Sequence, residues 1–473
     1  MSKSMPSLPE SFLRSIEAQF PSDFMTREPQ ELLTYGKDWT KVHTPAPRAV
    51  VFPRTTEEVS RFLKLCQEQE IAVVPSGGRT GLAAGAVAAC GEVVLSLTRM
   101  NHMGPVDTLS STVRVQAGAI TQAVHQHCEP WGLTWPVDFA SKGSSHVGGN
   151  IATNAGGVKV IRYGLTRNWV LGLQVVTLSG EVLELNGALE KNNTGVDLRQ
   201  LFIGSEGILG VITEATLKLA PLPKASDVFF FGLKDIPAAL HLFHEARKAP
   251  FQIMAFEFLT DRCMQAVAEH KGVRPPFSGD CGAYVLLEVE KASSENGKSP
   301  SEAWLESVFE NQWVIDGTAS QSERESKELW SFRESITESV GAQGVVHKND
   351  IALPIAHLGA FIHEFEERFA AQHGSLRVFI FGHIGDGNLH ISTLKPASMA
   401  LQEFHERCQQ ADETLFSLVL KHQGSISAEH GVGLLKKSAL HYSRTPLEIA
   451  LMRQLKQVFD PKGLLNPGKI FDL

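Results

Sequence analysis

The sequence predicts an α+β protein organised in two or three domains. The chain has 473 residues and an apolar fraction of 43%, which suffices for a sizeable core and excludes a fibrous or disordered protein. Apolar runs of strand length alternate with helix-length segments that carry one apolar face. Pro221 and Pro223 interrupt this alternation and predict a domain boundary.

The first half of the chain opens with a helical lead-in that begins after Pro9 and is interrupted at Pro21. A helix is predicted over residues 55–70, because Thr55 and Glu58 have capping-box spacing and an apolar face follows. Strands are predicted at residues 49–52, 71–74, 93–97, 113–117, 171–178 and 211–219.

The second half alternates strands with long helices. One helix is predicted over residues 322–340, with a buried stripe formed by Leu329, Phe332, Ile336 and Val340. A last helix runs from Pro446 to Asp460. Strands are predicted at residues 227–231, 283–290, 377–381 and 389–391.

Charge and cysteine content narrow the classes of function. Acidic residues outnumber basic ones by 52 to 44 and no basic stripe is present, so nucleic-acid binding lacks its electrostatic footprint. The six cysteines are scattered without a Cys-x-x-Cys pair, which is typical of reduced thiols in a cytoplasmic protein. No apolar run is long enough to span a bilayer and the N-terminus lacks a signal core, so we expect no transmembrane segment and a cytoplasmic location.

Three glycine-rich segments predict a ligand site. Residues 75–81 follow a buried strand, and their glycines allow backbone N–H groups to face a phosphate. They match neither G-x-G-x-x-G nor the P-loop, which disfavours a nicotinamide-type fold and a kinase-type loop. Residues 143–157 combine glycines with small polar residues, as a flat ligand lying on exposed backbone requires, and residues 204–210 form a third cluster. Each loop alone could be a tight turn, but the three together favour a ligand site.

These segments closely resemble the flavin domain of FAD-linked oxidases of the vanillyl-alcohol-oxidase type. The nearest branch is the D-2-hydroxyacid dehydrogenases, and within it the D-2-hydroxyglutarate dehydrogenases. The resemblance extends from about Tyr35 to Ile470. It implies a two-subdomain FAD-binding domain, an α+β substrate (cap) domain and a C-terminal segment that returns to the flavin. The expected ranges are a lead-in at 1–45, the FAD domain at 46–223, the cap at 224–425 and the C-terminal segment at 426–473.

The resemblance also implies where FAD binds. The first glycine segment would hold the pyrophosphate, the second would line the flavin, and Asn466 would return to it. Family members with covalent flavin often attach it through a histidine in the first segment. Arg79 stands there instead, so we expect non-covalent FAD. The implied FAD residues are Ser76, Gly77, Gly78, Arg79, Thr80, Gly81, Asp138, Gly143, Ser144, Ser145, Gly148, Gly149, Asn150, Thr153, Asn154, Gly207, Ile212 and Asn466.

The spacing around Asp386-Gly387 predicts a β-hairpin that carries two histidines. This dipeptide favours a two-residue loop, which would place His383 directly opposite His390. Opposed residues share a face with Cβ atoms ~5 Å apart, so both imidazoles could reach one metal ion. Ile384 and Leu389 would then point into the core. A histidine pair without a metal is the alternative interpretation.

Glu429 and His430 offer further polar groups beside glycines. Taken alone, such a dipeptide is more often a solvated pair. In the resembling dehydrogenases, the two hairpin histidines and this glutamate hold a divalent ion, and the following histidine lies beside the substrate. The resemblance therefore implies His383, His390 and Glu429 as ligands of zinc or another borderline divalent metal. It implies His430 as the catalytic acid/base.

Two cations are candidates for binding substrate carboxylates. Arg333 and Thr337 are four residues apart on the predicted helix, and Lys348 follows. For a lone Arg or Lys, a solvated surface position is the default interpretation. In the D-2-hydroxyglutarate dehydrogenases, an Arg, a Thr or Ser and a Lys at these positions hold substrate oxygens. One position departs from the family pattern, because Ser392 stands where the family commonly has Asn.

The expected reaction is FAD- and metal-dependent oxidation of a D-2-hydroxy acid, foremost D-2-hydroxyglutarate to 2-oxoglutarate, with hydride passing to flavin N5. A D-lactate, D-malate or glycolate dehydrogenase is the alternative within enzymes. A flavin redox sensor or electron-transfer subunit is the alternative from another class. The expected partners are the small acid and an electron acceptor, either an electron-transfer flavoprotein or a quinone; a homodimer is left open.

Overall fold

The computed structural model describes residues 7–40, 42–277, 279–291 and 299–473, which fold as two compact units. The first unit comprises Met1–Gly157, Tyr163–Leu222 and Glu429–Leu473. The second unit comprises Val158–Arg162 and Pro223–Ala428. None of the helices in the described ranges has the length and apolar character needed to cross a bilayer.

The strands, in chain order, are β1 Met25–Thr26, β2 Ala49–Val51, β3 Val73–Ser76, β4 Val93–Ser96, β5 Met103–Asp107, β6 Thr112–Gln116, β7 Leu133–Thr134, β8 Val170–Val176, β9 Val182–Leu185, β10 Val211–Lys218, β11 Ala220–Pro221, β12 Ser226–Leu233, β13 Ile253–Thr260, β14 Ala283–Glu290, β15 Asp316–Ala319, β16 Val346–Ala352, β17 Arg377–Gly382 and β18 Asn388–Leu394.

The α-helices are α1 Glu10–Gln19, α2 Pro29–Tyr35, α3 Thr56–Glu68, α4 Thr121–Cys128, α5 Val147–Thr153, α6 Val160–Tyr163, α7 Arg199–Phe202, α8 Ile236–Ala246, α9 Asp261–Lys271, α10 Pro300–Glu310, α11 Glu323–Glu334, α12 Ile336–Ala342, α13 Leu358–His373, α14 Leu401–Lys421 and α15 Pro446–Phe459.

The first unit contains a small sheet of order β1-β2-β4-β3 and a five-stranded sheet of order β5-β6-β10-β8-β9. β2, β4 and β3 are parallel, and β3 leads directly into the first glycine segment. The Thr55 hydroxyl accepts a hydrogen bond from the Glu58 amide at the start of α3, which confirms the predicted helix start. This arrangement presents the glycine loop at the carboxyl end of a buried parallel strand.

The second unit is built on a seven-stranded antiparallel sheet of order β15-β12-β14-β13-β17-β18-β16. Helices α9, α11 and α12 cover one face of this sheet and share a core cluster with β12, β13, β14 and β17. Helices and mostly antiparallel sheets thus occur together in the chain, which confirms the predicted α+β class.

The predicted helix over residues 322–340 is two helices, α11 and α12, which meet at Ser335. The ψ angle of Ser335 is −7°, whereas a regular α-helix has a ψ of about −42°, so the backbone departs from regular helical geometry there. The predicted apolar stripe is nevertheless confirmed, since Leu329, Phe332, Ile336 and Val340 are all buried in one cluster.

Candidate active site

Four polar side chains share one face of the second unit's sheet. The register of β16 and β18 places Asp350 opposite His390 and Lys348 opposite Ser392. Side chains two residues apart on a strand lie on the same face. The predicted metal ligand His390 and the predicted substrate residues Lys348 and Ser392 are therefore neighbours.

The hairpin between β17 and β18 has a longer loop than predicted. Phe381, and not His383, is paired with His390, which leaves residues 383–387 as the loop. The cause is local, because the His383 carbonyl accepts hydrogen bonds from the amides of Asp386 (3.1 Å) and Asn388 (3.2 Å) and so closes a wider turn. The predicted direct pairing of the histidines is wrong. The shift is by two residues, however, so both histidines stay on one face.

The two imidazoles face each other, with 3.5 Å between their Nε2 atoms. In a tetrahedral zinc site with Zn–N bonds of about 2.0–2.1 Å, two nitrogen ligands lie about 3.4 Å apart. His383 and His390 thus have the separation of two ligands on one metal ion. Ile384 and Leu389 are fully buried, which confirms that they point into the core.

A buried carboxylate lies behind each imidazole. Glu257 Oε1 is 2.8 Å from Nδ1 of His383, and Asp350 Oδ1 is 3.5 Å from Nδ1 of His390. The other oxygen of Asp350 accepts a hydrogen bond from the Ala428 amide at 3.1 Å. Metal-ligating histidines ordinarily have such a group at the second ring nitrogen. Sequence analysis missed both carboxylates, although a charged residue inside the apolar strand 253–260 was an available signal.

Arg333 is buried and paired with Glu257. Its Nε donates to Glu257 Oε2 at 2.8 Å, and its guanidinium carbon lies 4.9 Å from the centre of the Phe381 ring. Burial raises the pKa of Glu257, but the charges and hydrogen bonds of His383 and Arg333 outweigh this and lower it. The structure therefore brings Arg333 and His383, predicted for substrate and metal, together on one ionised carboxylate.

The remaining predicted substrate residues differ in exposure. Lys348 is exposed and forms no ion pair with any residue that the structure describes, although partial burial lowers its pKa. Ser392 is buried opposite it. Thr337 is exposed on α12, beyond the break at Ser335, so it does not share a buried helix face with Arg333.

In the first unit, the first and second glycine segments are in close backbone contact. A Cβ on Gly78 would lie 2.2 Å from the Ser144 carbonyl oxygen, so only glycine allows this approach. A Cβ on Gly149 would have no described atom within 4 Å, which marks open space beside the same loops. The side-chain amide of Asn466 donates to the carbonyls of Gly85 (3.1 Å) and Glu206 (2.7 Å). The C-terminal segment is thereby joined to the third glycine cluster.

Several buried polar atoms in this region have no partner within the described ranges. They are Ser76 Oγ, His146 Nδ1, Asp38 Oδ2 and Asn466 Oδ1. Burial and the neighbouring Arg79 lower the pKa of His146 to about 4, so its ring is neutral at pH 7. Orphaned buried groups of this kind require a ligand or water to satisfy them. His146 and Asp38 were missed by sequence analysis.

The other implied FAD residues make contacts within the first unit. Arg79 has a positive φ of 59° and lies 4.4 Å from the centre of the Tyr35 ring. Asp138 forms an ion pair with Lys142. Three side chains support the second segment, because Asn150 donates to Thr121, Thr153 donates to the Gly149 carbonyl and Asn154 accepts from the Arg167 amide. Ile212 is buried within β10.

Glu429 and His430 begin the last segment of the first unit. Glu429 follows Ala428, whose amide donates to Asp350. The loop after His430 is held by Glu206, which accepts hydrogen bonds from the amides of Val432 (2.7 Å) and Gly433 (2.8 Å). Burial raises the pKa of Glu206.

Comparison with known proteins decides the family. Residues 47–186 match the family described as FAD binding domain, and residues 222–470 match the family described as FAD linked oxidases, C-terminal domain. D-2-hydroxyglutarate dehydrogenase of Stutzerimonas stutzeri is 46% identical over 94% of this chain and 97% of its own length. The chain belongs to the FAD-linked D-2-hydroxyacid dehydrogenases. The mitochondrial D-2-hydroxyglutarate dehydrogenase of Bos taurus is 39% identical over 98% of this chain and 83% of its own length.

A solved structure shows the same fold. 4-Ethylphenol oxidase from Gulosibacter chungangensis superposes with a TM-score of 0.74 over 99% of both chains, at 17% sequence identity. The predicted vanillyl-alcohol-oxidase type of fold is thereby confirmed. The protein is an FAD-dependent oxidoreductase.

As an FAD-linked dehydrogenase, the protein has to hold a dinucleotide. The close loop approach at Gly78, the open space beside Gly149 and the unpartnered Ser76 and His146 atoms fit such a group. In the second unit, two facing imidazoles backed by carboxylates form a donor set typical of a divalent metal site.

Proposed function

We propose that this enzyme oxidises D-2-hydroxyglutarate to 2-oxoglutarate. The observation that carries the proposal is the position of Lys348, an exposed cation on the same face of the sheet as His390. Strands rise ~3.4 Å per residue, so Lys348 lies about 7 Å along the sheet from the Asp350–His390 pair. That spacing is comparable to the length of a five-carbon chain. A substrate whose first carboxylate lies near the histidines would therefore bring a second carboxylate to Lys348.

His383, His390 and Glu429 are the residues that would hold a divalent ion, zinc foremost. The 3.5 Å between the two Nε2 atoms supports the first two ligands. Glu429 is the proposed third, because it directly follows Ala428, which is hydrogen-bonded to Asp350. A divalent ion in this position supplies Lewis acidity toward a carboxylate and a hydroxyl oxygen.

His430 is the proposed base that takes the hydroxyl proton. An imidazole suits this role near neutral pH. Oxidation removes that proton from oxygen and a hydride from C2, which leaves the ketone of the 2-oxo acid. FAD, when bound, supplies the two-electron acceptor at its N5 atom.

Arg333, Thr337, Lys348 and Ser392 are the proposed carboxylate-binding residues. Two cations near the histidines favour a substrate with a second carboxylate. The charge of Arg333 is balanced by Glu257. Lys348 has no such partner within the described residues, so it is the stronger determinant of a dicarboxylate.

Reduced flavin has to pass its electrons onward. An electron-transfer flavoprotein or a quinone is the proposed acceptor. Reoxidation of substrate-reduced enzyme by each acceptor in turn, followed by flavin absorbance, would identify it.

Substrate preference is tested by anaerobic flavin bleaching and by kcat/KM with an artificial acceptor. The panel contains D-2-hydroxyglutarate, D-malate, D-lactate and glycolate, with L-2-hydroxyglutarate as the stereochemical control. We expect the two D-dicarboxylates to exceed the monocarboxylates. A preference for D-lactate or glycolate would contradict the proposal. Flavin that no acid bleaches would instead favour a redox sensor or an electron-transfer subunit.

A further inference from the structure

Glu257 is a charged residue in an otherwise apolar, buried strand. It lies between Phe256 and Phe258 on β13, and only 1% of its surface is exposed. The pairing of Phe258 with Gly382, continued by one residue, places Glu257 opposite His383. A buried carboxylate is costly unless it is paired and hydrogen-bonded, and here both oxygens have partners. Oε1 is 2.8 Å from Nδ1 of His383, and Oε2 accepts a hydrogen bond from Nε of Arg333, also at 2.8 Å.

The contact with His383 determines which ring nitrogen is available for a metal. An ionised carboxylate only accepts hydrogen bonds, so Nδ1 of His383 donates to Glu257, and the form of the ring that binds a metal ion has its lone pair on Nε2. That lone pair faces Nε2 of His390, whose own Nδ1 lies toward Asp350. The 3.5 Å between the two Nε2 atoms is long for a hydrogen bond and suits a metal ion held between the rings.

The contact with Arg333 determines how the guanidinium is presented. Glu257 engages only Nε, while the Phe381 ring packs against the guanidinium plane. Within the described residues, the two Nη groups donate to no side chain or carbonyl. Arg333 is therefore held in place by one edge and leaves its outer N–H groups for an anion.

We propose that Glu257 is a positioning residue that couples the metal site to the carboxylate site, by holding His383 as a ligand and Arg333 as an anion receptor at the same time. This inference rests on the proposed function, because it assigns metal binding to His383 and substrate binding to Arg333. A purely structural ion pair is the competing explanation, and it predicts an effect on stability alone.

The test compares Glu257→Gln with Glu288→Gln in the FAD-loaded enzyme. Glu288 is a matched control, since it is a buried carboxylate on the adjacent strand β14 and forms an ion pair with Lys159, away from the histidines. Zinc affinity is measured by competition with a chromophoric chelator, which does not depend on activity. We expect Glu257→Gln to weaken zinc binding by about 10–100-fold and Glu288→Gln to leave it unchanged.

A second readout separates positioning from stability. At saturating zinc, Glu257→Gln should raise KM for D-2-hydroxyglutarate by roughly tenfold or more with a smaller change in kcat, because a binding group is misplaced. Equal zinc affinity and equal KM in the variant and the wild type would overturn the proposal. If Glu257→Gln does not retain FAD, Glu257→Asp is measured instead. The shorter aspartate side chain cannot keep the contacts with both His383 and Arg333. Wild-type zinc affinity and wild-type KM in Glu257→Asp would therefore overturn the proposal as well.

Failure of the proposed function gives a different result. Wild-type enzyme that binds no zinc or other divalent ion would remove the metal site itself. Wild-type enzyme that binds the metal while Glu257→Gln binds it equally well would remove only the role of Glu257.

Discussion

At the scale of single residues, charge balance distinguishes the two cations near the histidines. Arg333 is neutralised by Glu257, whereas Lys348 has no ion-pair partner in the described ranges and is directly opposite Ser392. The side chain of Ser392 is short and carries one hydroxyl, which leaves the lysine as the main group able to bind a distant carboxylate. Substrate choice is therefore expected to depend on Lys348 more than on Arg333.

Replacing Lys348 with Ala should selectively weaken dicarboxylate substrates. Loss of a charge-assisted hydrogen bond corresponds to ~2 kcal/mol, or about 30-fold in kcat/KM for D-2-hydroxyglutarate. The value for D-lactate should barely change. Lys327→Ala is the control, since Lys327 is an exposed lysine on α11 of the same unit. Equal losses on both acids would show that Lys348 does not contact the distal carboxylate.

Flavin should be released when the purified yellow protein is precipitated with acid. The first glycine segment, residues 75–81, contains Arg79 and no histidine, and the Arg79 guanidinium packs on the Tyr35 ring. Absorbance of the supernatant and of the pellet measures the partition. Flavin that stays in the pellet would contradict non-covalent binding.

At the scale of elements, the hairpin between β17 and β18 depends on a tight turn at Gly387. Gly387 has a φ of 87°, and a Cβ there would lie 2.2 Å from the Leu353 carbonyl oxygen. The turn positions His383 just beyond the end of β17 and His390 within β18. The geometry of the histidine pair is thus a property of the hairpin as a whole.

Gly387→Ala should destabilise the protein by at least the ~1–2 kcal/mol that a left-handed conformation costs a non-glycine residue. It should also weaken zinc binding, because the loop has to move. Gly341→Ala is the matched control, since Gly341 lies in α12 and a Cβ there meets nothing within 4 Å. That change should stabilise the helix by up to ~1 kcal/mol. Chemical denaturation, followed by flavin and far-UV signals, measures the stability of both variants. Wild-type stability of Gly387→Ala would show that the turn tolerates a side chain.

At the scale of the whole molecule, the glycine segments and the two hairpin histidines belong to different units. The glycine segments and Asn466 lie in the first unit, and His383, His390, Lys348 and Arg333 lie in the second. The sheets of the two units are separate, and so are their main core clusters. Removal of the metal, or substitution of a hairpin histidine, is therefore expected to leave flavin binding intact.

Chelation of the metal, or His383→Ala, should abolish turnover while FAD stays bound. The flavin residues do not include either hairpin histidine, so the absorbance ratio of flavin to protein should equal that of the wild type. Zinc added back should restore the chelated enzyme and fail to restore His383→Ala. Full activity of metal-free enzyme would exclude a Lewis-acid role, and loss of flavin on chelation would contradict the separation of the two sites.

The sequence alone was sufficient for most of the elements, the fold class and the family. Apolar periodicity located the buried stripe from Leu329 to Val340, and the glycine clusters predicted where flavin binds, because both patterns reflect local geometry. The hairpin register was not predictable in this way. Asp386-Gly387 favours a two-residue loop, but the His383 carbonyl accepts two hydrogen bonds that stabilise the longer loop instead.

Only the tertiary structure identified Glu257 and Asp350 as the groups behind the histidines, and showed that residues 158–162 belong to the second unit. Glu257 is 76 residues from Arg333 and 126 from His383 along the chain. No local pattern relates residues at such distances. Their contact arises because β13 pairs with β17 and α11 packs on the same face, and burial then makes the pairing of charges obligatory.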